Sequence, residues 1–395
     1  MSVDTTAAPA ATTSPRERAE AVLPVLREHA RAVDTEARFP TEALTALRGS
    51  GLLGLLVPDE YGGLGGDLHD LAQIADLLGG ACLSTAMIWA MHCQQVAAIV
   101  EFAGPQLRAG LLPQIARGEV YIASVTSEKG KGGHLLSAQD ALERSDERLH
   151  LHRDAPIVTG GLHADGFLIT MRDLPDAPAG KVSLVYAPRA ALNLTTSGSW
   201  NPLGMRGTHS IAMVLDATLD PTAIVGEPGG FQQVAVRTFA PVGHVAWAAC
   251  WLGAARGALR DVLHLVRSPA GRKQFSLDSE LLRARVARAR MDLDTMAALL
   301  AQCISDARDT ASVEEIPVQL RLNALKVYTA ERSFAVVNTL TEIVGLRHGY
   351  MRDAPLGLER VLRDLRSASL NYANDRLIAA NGAMALLDNG VHLAY

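Results

Sequence analysis

The chain has 395 residues, of which 48% are hydrophobic and 20% charged, and its formal net charge is −5. This apolar content excludes a disordered chain, the glycines show no collagen-like period, and no stretch reaches the ~18 consecutive apolar residues of a membrane helix. The acidic balance creates no basic field, so we expect neither nucleic acid nor a membrane as a partner. The chain is longer than the length at which a single hydrophobic core stops growing, which predicts two or three packed units.

The four cysteines, Cys82, Cys93, Cys250 and Cys303, are widely spaced and form no Cys-x-x-Cys pair. Isolated thiols of this kind behave as small hydrophobic side chains and indicate a reducing, cytoplasmic location. Residues 1–15 are rich in Ala, Thr, Ser and Pro and lack the charged and apolar regions of a secretory signal. We therefore expect a disordered tail there.

The region 16–118 has apolar residues at three- and four-residue spacing, which predicts an N-terminal helical bundle. Pro40 marks a helix start, and the Gly-rich stretch 60–66 predicts a loop. The apolar run 68–100 is broken by two central glycines, which indicates two successive helices.

The region 119–228 has a different character, because short apolar segments alternate with clusters of Gly, Pro, Asp and Ser. The segments that we expect to form strands are 121–125, 149–152, 167–170, 182–186 and 211–215. Together they predict a small β-barrel-like domain.

The region 229–395 returns to long segments rich in Ala, Leu and Arg. Four long helices are expected, over residues 245–266, 279–307, 317–344 and 370–387. The predicted fold class is therefore mainly α with a central β domain between an N-terminal helical bundle and a C-terminal four-helix bundle.

An ordered set of local motifs makes the chain resemble the acyl-CoA dehydrogenase family from residue 38 to residue 387. The loop Thr126-Ser-Glu-Lys-Gly-Lys-Gly-Gly is similar to that family's Thr-Glu-Pro-Gly-x-Gly-Ser, and Ile157-Val-Thr159-Gly to its Trp-Ile-Thr-Asn. Arg272-Lys-Gln-Phe275 and Glu342-Ile-Val-Gly345 follow in the family's order.

The resemblance implies a flavin, FAD or, in a monooxygenase, FMN, between the β domain and the C-terminal bundle. The residues that it assigns to the flavin within one subunit are Val125, Thr126, Ile157, Thr159 and Asn374. Threonines at strand ends can donate hydrogen bonds to an isoalloxazine ring.

The resemblance also implies a homodimer or homotetramer, in which the adenosine end of the flavin reaches a neighbouring subunit. Arg272, Phe275 and Gly345 are the residues assigned to that end. A guanidinium and exposed backbone N–H groups suit a pyrophosphate.

The family's catalytic glutamate has no counterpart here, because its position falls on Tyr372 and the alternative position falls near His244. A general base needs a pKa near working pH, so His244 is the better candidate and phenolic Tyr372 a poor one. Packing among Trp247 and its neighbours explains His244 equally well. Asp375 is a third candidate, although a helix N-cap role comes first for it.

Three functions remain open from the sequence. The first, narrowly favoured, is dehydrogenation of an acyl thioester carried by CoA or a carrier protein, with a relocated base. The second is a flavin monooxygenase that takes reduced flavin from a separate reductase and uses O₂, with His244, His163 or Ser124 near the flavin. Loss of the glutamate favours the second, since oxygenation requires no α-proton abstraction. The third is a flavin-fold protein without catalysis.

Overall fold

The computed structural model describes residues 13–130, 134–145, 147–308, 312–388 and 390–391. Most of the expected disordered tail lies outside the described residues. At the end of that tail, Ser14 and Glu17 form a reciprocal capping box, and the first helix begins at Pro15. Such a box satisfies backbone donors that a helix start leaves unpaired, which explains why the helix begins there.

The N-terminal region is helical, as predicted. Its helices are α1 (Pro15–Glu36), α2 (Thr41–Gly49), α3 (Leu68–Gly79), α4 (Leu83–Phe102) and α5 (Pro105–Ala116). Within the described part of the chain, α4 is the one helix long and apolar enough to cross a membrane, and 83% of that stretch is buried inside the protein. Burial among the other helices accounts for its composition.

The middle region contains two four-stranded sheets. The strands are β1 (Ile122–Val125), β2 (Glu143–Ser145), β3 (Arg148–Val158), β4 (Gly166–Arg172), β5 (Val182–Pro188), β6 (Leu192–Ser197), β7 (Ile211–Leu219) and β8 (Ile224–Val225). One sheet has the order β1-β4-β5-β8, with β1 parallel to β4, and the other has the antiparallel order β2-β3-β7-β6.

All five predicted strands are present and three were missed. The missed strands are short or exposed: β2 is fully exposed, β6 is largely exposed and β8 has two residues, so none carries a buried apolar pattern. Among the described residues no strand of one sheet pairs with a strand of the other. The β domain is therefore a pair of sheets and not a closed barrel.

The C-terminal region is again helical. Its helices are α6 (Phe231–Val234), α7 (Ala240–Arg267), α8 (Glu280–Asp306), α9 (Ile316–Gly345), α10 (Leu358–Arg366) and α11 (Asn374–Ala385). The first three predicted long helices are confirmed as α7, α8 and α9. The fourth, predicted over 370–387, is confirmed as α11, but it begins at Asn374 because Tyr372, just before it, has φ 45°. A left-handed residue cannot continue an α-helix. Helix α10 was not predicted.

Helices α3 and α7 approach each other backbone to backbone and thereby join the two helical regions. A Cβ at Gly79 would lie 2.2 Å from the carbonyl oxygen of Cys250, and a Cβ at Gly253 would lie 2.1 Å from that of Asp76. Only glycine fits at both positions. The predicted mainly α fold with a central β domain is confirmed, and helix gives way to strand between Ala116 and Ile122.

Candidate active site

A cavity of about 620 Å³ lies where the β domain meets the C-terminal helices. Residues at the strand ends form one side, called here the β wall: Ser124, Thr126, Ser127, Ile157, Thr159 and Ser210. Residues of α7, α10, α11 and the turn before α11 form the opposite side, the helical wall: Trp247, Arg363, Arg366, Tyr372, Ala373 and Arg376. Met87 and Met91 from α4 and Trp200 from the loop before β7 add apolar surface.

The β wall presents a row of hydroxyl groups. The Thr159 hydroxyl lies 3.0 Å from that of Ser210, and the Ser127 hydroxyl donates to the carbonyl oxygen of Ile157 at 2.6 Å. Pairing of β3 with β7 shifts register between Ala155 and Val158, and Ile157 within that irregularity is 50% exposed. The irregularity turns Ile157 toward the cavity, because a regular β3 would alternate its side chains between the two faces.

A buried ion pair supports the loop that follows Thr126. Arg153 Nη1 lies 2.7 Å from Glu128 Oε1, and both side chains are buried. The Glu128 carboxylate also accepts the backbone N–H groups of Gln139 and Asp140. This network fixes the segment after the β wall, since a buried charge requires both a counter-charge and hydrogen bonds.

Tyr372 connects the two walls. Its ring stacks on Trp247, with ring centroids 4.9 Å apart and an interplanar angle of 24°, and its hydroxyl is hydrogen-bonded to the Thr126 side chain. Burial raises the pKa of Tyr372 to about 12. The phenol is therefore protonated at neutral pH and acts as a hydrogen-bonding group and a flat surface.

Lys326 lies behind the helical wall and holds the turn that carries Tyr372. Its ammonium donates to the carbonyl oxygen of Ala368 at 3.1 Å and to Asn374 Oδ1 at 2.8 Å. Burial lowers the pKa of Lys326 to about 8. Asn374 also donates to Glu331 and does not line the cavity, so its side chain belongs to this network.

His244 is buried in α7 and is absent from the cavity lining. Burial, together with the charge of Lys326, lowers the pKa of His244 to about 3. The imidazole is therefore neutral at neutral pH, and its Nδ1 is buried without a hydrogen-bond partner among the described residues. Its ring packs 6.3 Å from that of Trp247, which fits the packing interpretation.

The remaining candidate bases lie apart from the cavity, with one exception. Asp375 is exposed in the first turn of α11 and makes no capping hydrogen bond, so the predicted N-cap is wrong; the cap position is Ala373. His163 stacks on Phe39 at 4.0 Å and does not line the cavity. Ser124 does line it, at the end of β1.

The residues assigned to the flavin divide into two groups. Thr126, Ile157 and Thr159 meet in the β wall, whereas Val125 is buried in β1. The residues expected to contact the flavin of a neighbouring subunit form the second group, which lies away from the cavity lining. Phe275 packs 6.4 Å from His348, in the segment that follows Gly345, and Arg272 is exposed three residues before Phe275.

Several cavity residues were not singled out from the sequence. Met87 and Met91 are four residues apart on α4, a spacing that places both on one helical face. Trp200, Ser210 and Arg376 come from loops or helix starts, where sequence spacing does not indicate direction. Within the described ranges no group of three His, Cys, Asp or Glu side chains is arranged to hold a metal ion.

Comparisons with known proteins agree with this architecture. The family models "Acyl-CoA dehydrogenase, N-terminal domain" and "Acyl-CoA dehydrogenase, C-terminal domain" match residues 15–119 and 230–371. Dibenzothiophene monooxygenase of Rhodococcus qingshengii is 25% identical over 345 residues, covering 82% of each chain. Cyclohex-1-ene-1-carbonyl-CoA dehydrogenase of Syntrophus aciditrophicus is 25% identical over 353 residues, covering 87% of this chain and 82% of the relative.

A solved structure has the same fold over nearly the whole chain. FMN-bound TdsC from Paenibacillus sp. A11-2, a dibenzothiophene monooxygenase that was also solved with FMN and indole, has a TM-score of 0.83 at 21% identity. The similarity covers 94% of this chain and 97% of TdsC. The chain therefore belongs to the acyl-CoA dehydrogenase family, which confirms the expectation of a flavin-dependent oxidoreductase.

Proposed function

We propose that this protein is a two-component flavin monooxygenase, which uses reduced flavin from a separate reductase together with O₂. The observation that carries the proposal is the chemistry of the cavity lining. No described residue that lines the cavity is an Asp, Glu, His or Cys, and Tyr372 lines it at the position where the resemblance places the family's glutamate. An α-proton abstraction requires a base at that place, whereas oxygenation does not.

The two candidate bases do not supply one. A general base must reach the proton and have a pKa near working pH. Tyr372 reaches the cavity, but its pKa is about 12, and His244, whose pKa is about 3, does not line the cavity. Dehydrogenation of an acyl thioester, which the sequence narrowly favoured, thus has no base among the described residues of the cavity.

The cavity fits a flavin in both size and donors. Its volume of about 620 Å³ is in the range of cofactor and ligand sites. Thr126 and Thr159 present hydroxyl groups that can hydrogen-bond to the polar edge of FAD or FMN, and Ile157 offers an apolar contact beside them. Bound reduced flavin supplies the electrons that activate O₂.

The protein's own part is to orient the substrate and exclude water. The stacked pair Trp247 and Tyr372 provides a flat surface for an aromatic ring, and Met87 and Met91 add thioether groups to the same cavity lining. This lining suits a flat apolar substrate, in keeping with a relative named for dibenzothiophene and a structural neighbour solved with indole. The Tyr372 hydroxyl, hydrogen-bonded to Thr126, adds a polar group at the edge of that surface.

The proposal includes a homo-oligomer in a reducing, cytoplasmic location. Arg272 and the segment after Gly345 lie near each other at an exposed end of the bundle, where a neighbouring copy's flavin can bind. Leu346, Tyr350 and Met351 beside them are exposed apolar side chains that a second copy would cover. The four cysteines are buried free thiols, which supports the location.

The test supplies reduced FMN, from a flavin reductase and NADH, to the purified protein with indole or dibenzothiophene under ¹⁸O₂. We expect mass spectrometry to find one ¹⁸O atom in the organic product. Omission of the reductase, in an otherwise identical reaction, is the control and must give no product.

The competing reaction is tested anaerobically with the oxidised flavoprotein and a panel of acyl-CoA thioesters. We expect the absorbance band of oxidised flavin to persist. Bleaching by a thioester, together with an absence of ¹⁸O in any aromatic product, would replace the proposed monooxygenase with a dehydrogenase.

A further inference from the structure

The β wall contains a chain of three hydroxyl groups that ends on a backbone carbonyl. Thr159, just after β3, lines the cavity, and its hydroxyl lies 3.0 Å from that of Ser210. The Ser210 hydroxyl lies 2.9 Å from that of Thr208, which donates to the carbonyl oxygen of Met205 at 2.8 Å. Thr208 and Ser210 are each 5% exposed, so these contacts are made inside the protein.

The carbonyl at the end of this chain fixes the direction of every hydrogen bond in it. A carbonyl oxygen only accepts, so Thr208 gives its one hydroxyl proton to Met205. Ser210 must then donate to Thr208, and Thr159 must donate to Ser210, because each hydroxyl has one proton. Hydrogen bonds in such a chain polarise one another, which strengthens this direction. Thr159 therefore has lone pairs, and not its proton, left for the cavity.

A second hydroxyl of the β wall is oriented in the same way. Ser127 also lines the cavity and donates its proton to the carbonyl oxygen of Ile157 at 2.6 Å. Its remaining lone pairs are thus available to a ligand. Because Ile157 lies two residues before Thr159, this part of the wall is a surface of hydrogen-bond acceptors, which favours a ligand that offers an N–H group.

We propose that Ser210 is a positioning residue which, held by Thr208, keeps the Thr159 hydroxyl as an acceptor and makes the cavity bind reduced flavin more tightly than oxidised flavin. In oxidised flavin the ring nitrogen N5 accepts hydrogen bonds, whereas in reduced flavin it carries a proton and donates. An acceptor whose proton is engaged elsewhere suits only the donating form. The inference deepens the proposed function, on which it rests for the presence of flavin in this cavity.

The preference has a matching electrochemical signature. One neutral hydrogen bond gained by one redox form and denied to the other corresponds to about a tenfold difference between their dissociation constants. Since reduced flavin is the tighter ligand, the midpoint potential of bound FMN should lie about 30 mV above that of free FMN.

The test measures dissociation constants anaerobically for oxidised and for photoreduced FMN, with quenching of Trp247 fluorescence in the cavity lining as the signal. Thr208→Val removes the hydroxyl that donates to the carbonyl, so Ser210 and Thr159 can reverse their hydrogen bonds. We expect the preference for reduced FMN to fall about tenfold, and the potential of bound FMN to fall with it. Thr208→Ser keeps the hydroxyl and should keep the preference. Ser210→Ala should lose it as well, which makes the result independent of the folding of one variant.

Two controls separate this role from a structural one. Thr218→Val removes a hydroxyl of β7 that lies 2.9 Å from His150 Nδ1, outside the cavity lining, and should leave both constants unchanged. The probe 5-deaza-FMN has carbon in place of N5, so its reduced form lacks the N–H group, and wild type should lose the preference for it.

A merely structural role for Ser210 and Thr208 would weaken the binding of both redox forms equally and leave the potential unchanged. That outcome, or an undiminished preference for reduced 5-deaza-FMN, would overturn the inference. No turnover is measured, so the two proposals fail separately. Absence of oxygenation with unequal flavin binding contradicts only the monooxygenase, and oxygenation with an unchanged preference in the variants contradicts only the role of Ser210.

Discussion

The two walls of the cavity differ in how far they keep the family's pattern. The β wall presents threonines at strand ends, Thr126 and Thr159, which are the residues that the resemblance assigns to the flavin. The helical wall has Tyr372 in place of a carboxylate and a stacked tryptophan behind it. Under the proposed function, the β wall keeps the cofactor while the helical wall changes the reaction, without any change of fold.

The largest expected effect comes from breaking the support of the β wall. Arg153→Met leaves the buried Glu128 carboxylate without its counter-charge, and we expect the free energy of unfolding to fall by about 3–5 kcal/mol. Urea denaturation measures this change. The matched double variant Arg153→Met with Glu128→Gln should recover part of the loss; no recovery would assign the effect to lost packing alone.

A smaller effect is expected from the support of the helical wall. Lys326→Met removes the two hydrogen bonds that the ammonium donates to the turn that carries Tyr372. We expect the free energy of unfolding to fall by about 2 kcal/mol. Flavin content should remain, because the β wall is intact.

The same variant tests a pH dependence. The pKa of Lys326 in the folded protein, about 8, lies below its ordinary value of 10.5. Between these values the unfolded chain binds more protons, so the free energy of unfolding attributable to this group rises with pH over that interval. Lys326→Met should flatten this rise; an unchanged slope would remove Lys326 as its source.

A purely functional effect is expected at the contact between the walls. Tyr372→Phe keeps the stacking on Trp247 and removes the hydroxyl that Thr126 holds. We expect product formation to fall about tenfold while flavin content and Tm stay near wild type. Thr126→Val is the matched variant and should in addition weaken flavin binding. Equal flavin loss in both variants would contradict the assignment of flavin binding to the β wall and of the reaction to the helical wall.

The smallest effect is expected at His244. Because its pKa is about 3 and it does not line the cavity, His244→Asn should change the turnover number by less than about twofold. A pH–rate profile of this variant should match that of wild type between pH 5 and 8. Loss of turnover with intact flavin would return His244 to the role of base.

The fold and the β wall could be predicted largely from the sequence, because periodic apolar residues and motif order carry that information. Helices α7, α8 and α9 and the positions of Thr126 and Thr159 are examples. These features depend on local spacing, which a sequence displays directly.

The helical wall could not be predicted to the same depth. The left-handed backbone of Tyr372 delays the start of the expected last helix to Asn374, and no propensity of tyrosine indicates that conformation. Arg376 Nη1 is buried without a hydrogen-bond partner among the described residues, and Lys326 donates a hydrogen bond to Asn374. Both features depend on which residues distant in sequence pack around this turn. Such contacts follow from the assembled packing and not from spacing along the chain.

The close contact between α3 and α7 also has a consequence for folding during synthesis. Asp76 and Arg256, on these two helices, lie 180 residues apart in sequence. At ordinary rates of translation the ribosome needs roughly 10–40 s to traverse that distance. Until α7 emerges, α3 and the apolar α4 lack the helix that covers them in the folded protein, so the nascent chain exposes apolar surface of the kind that favours aggregation.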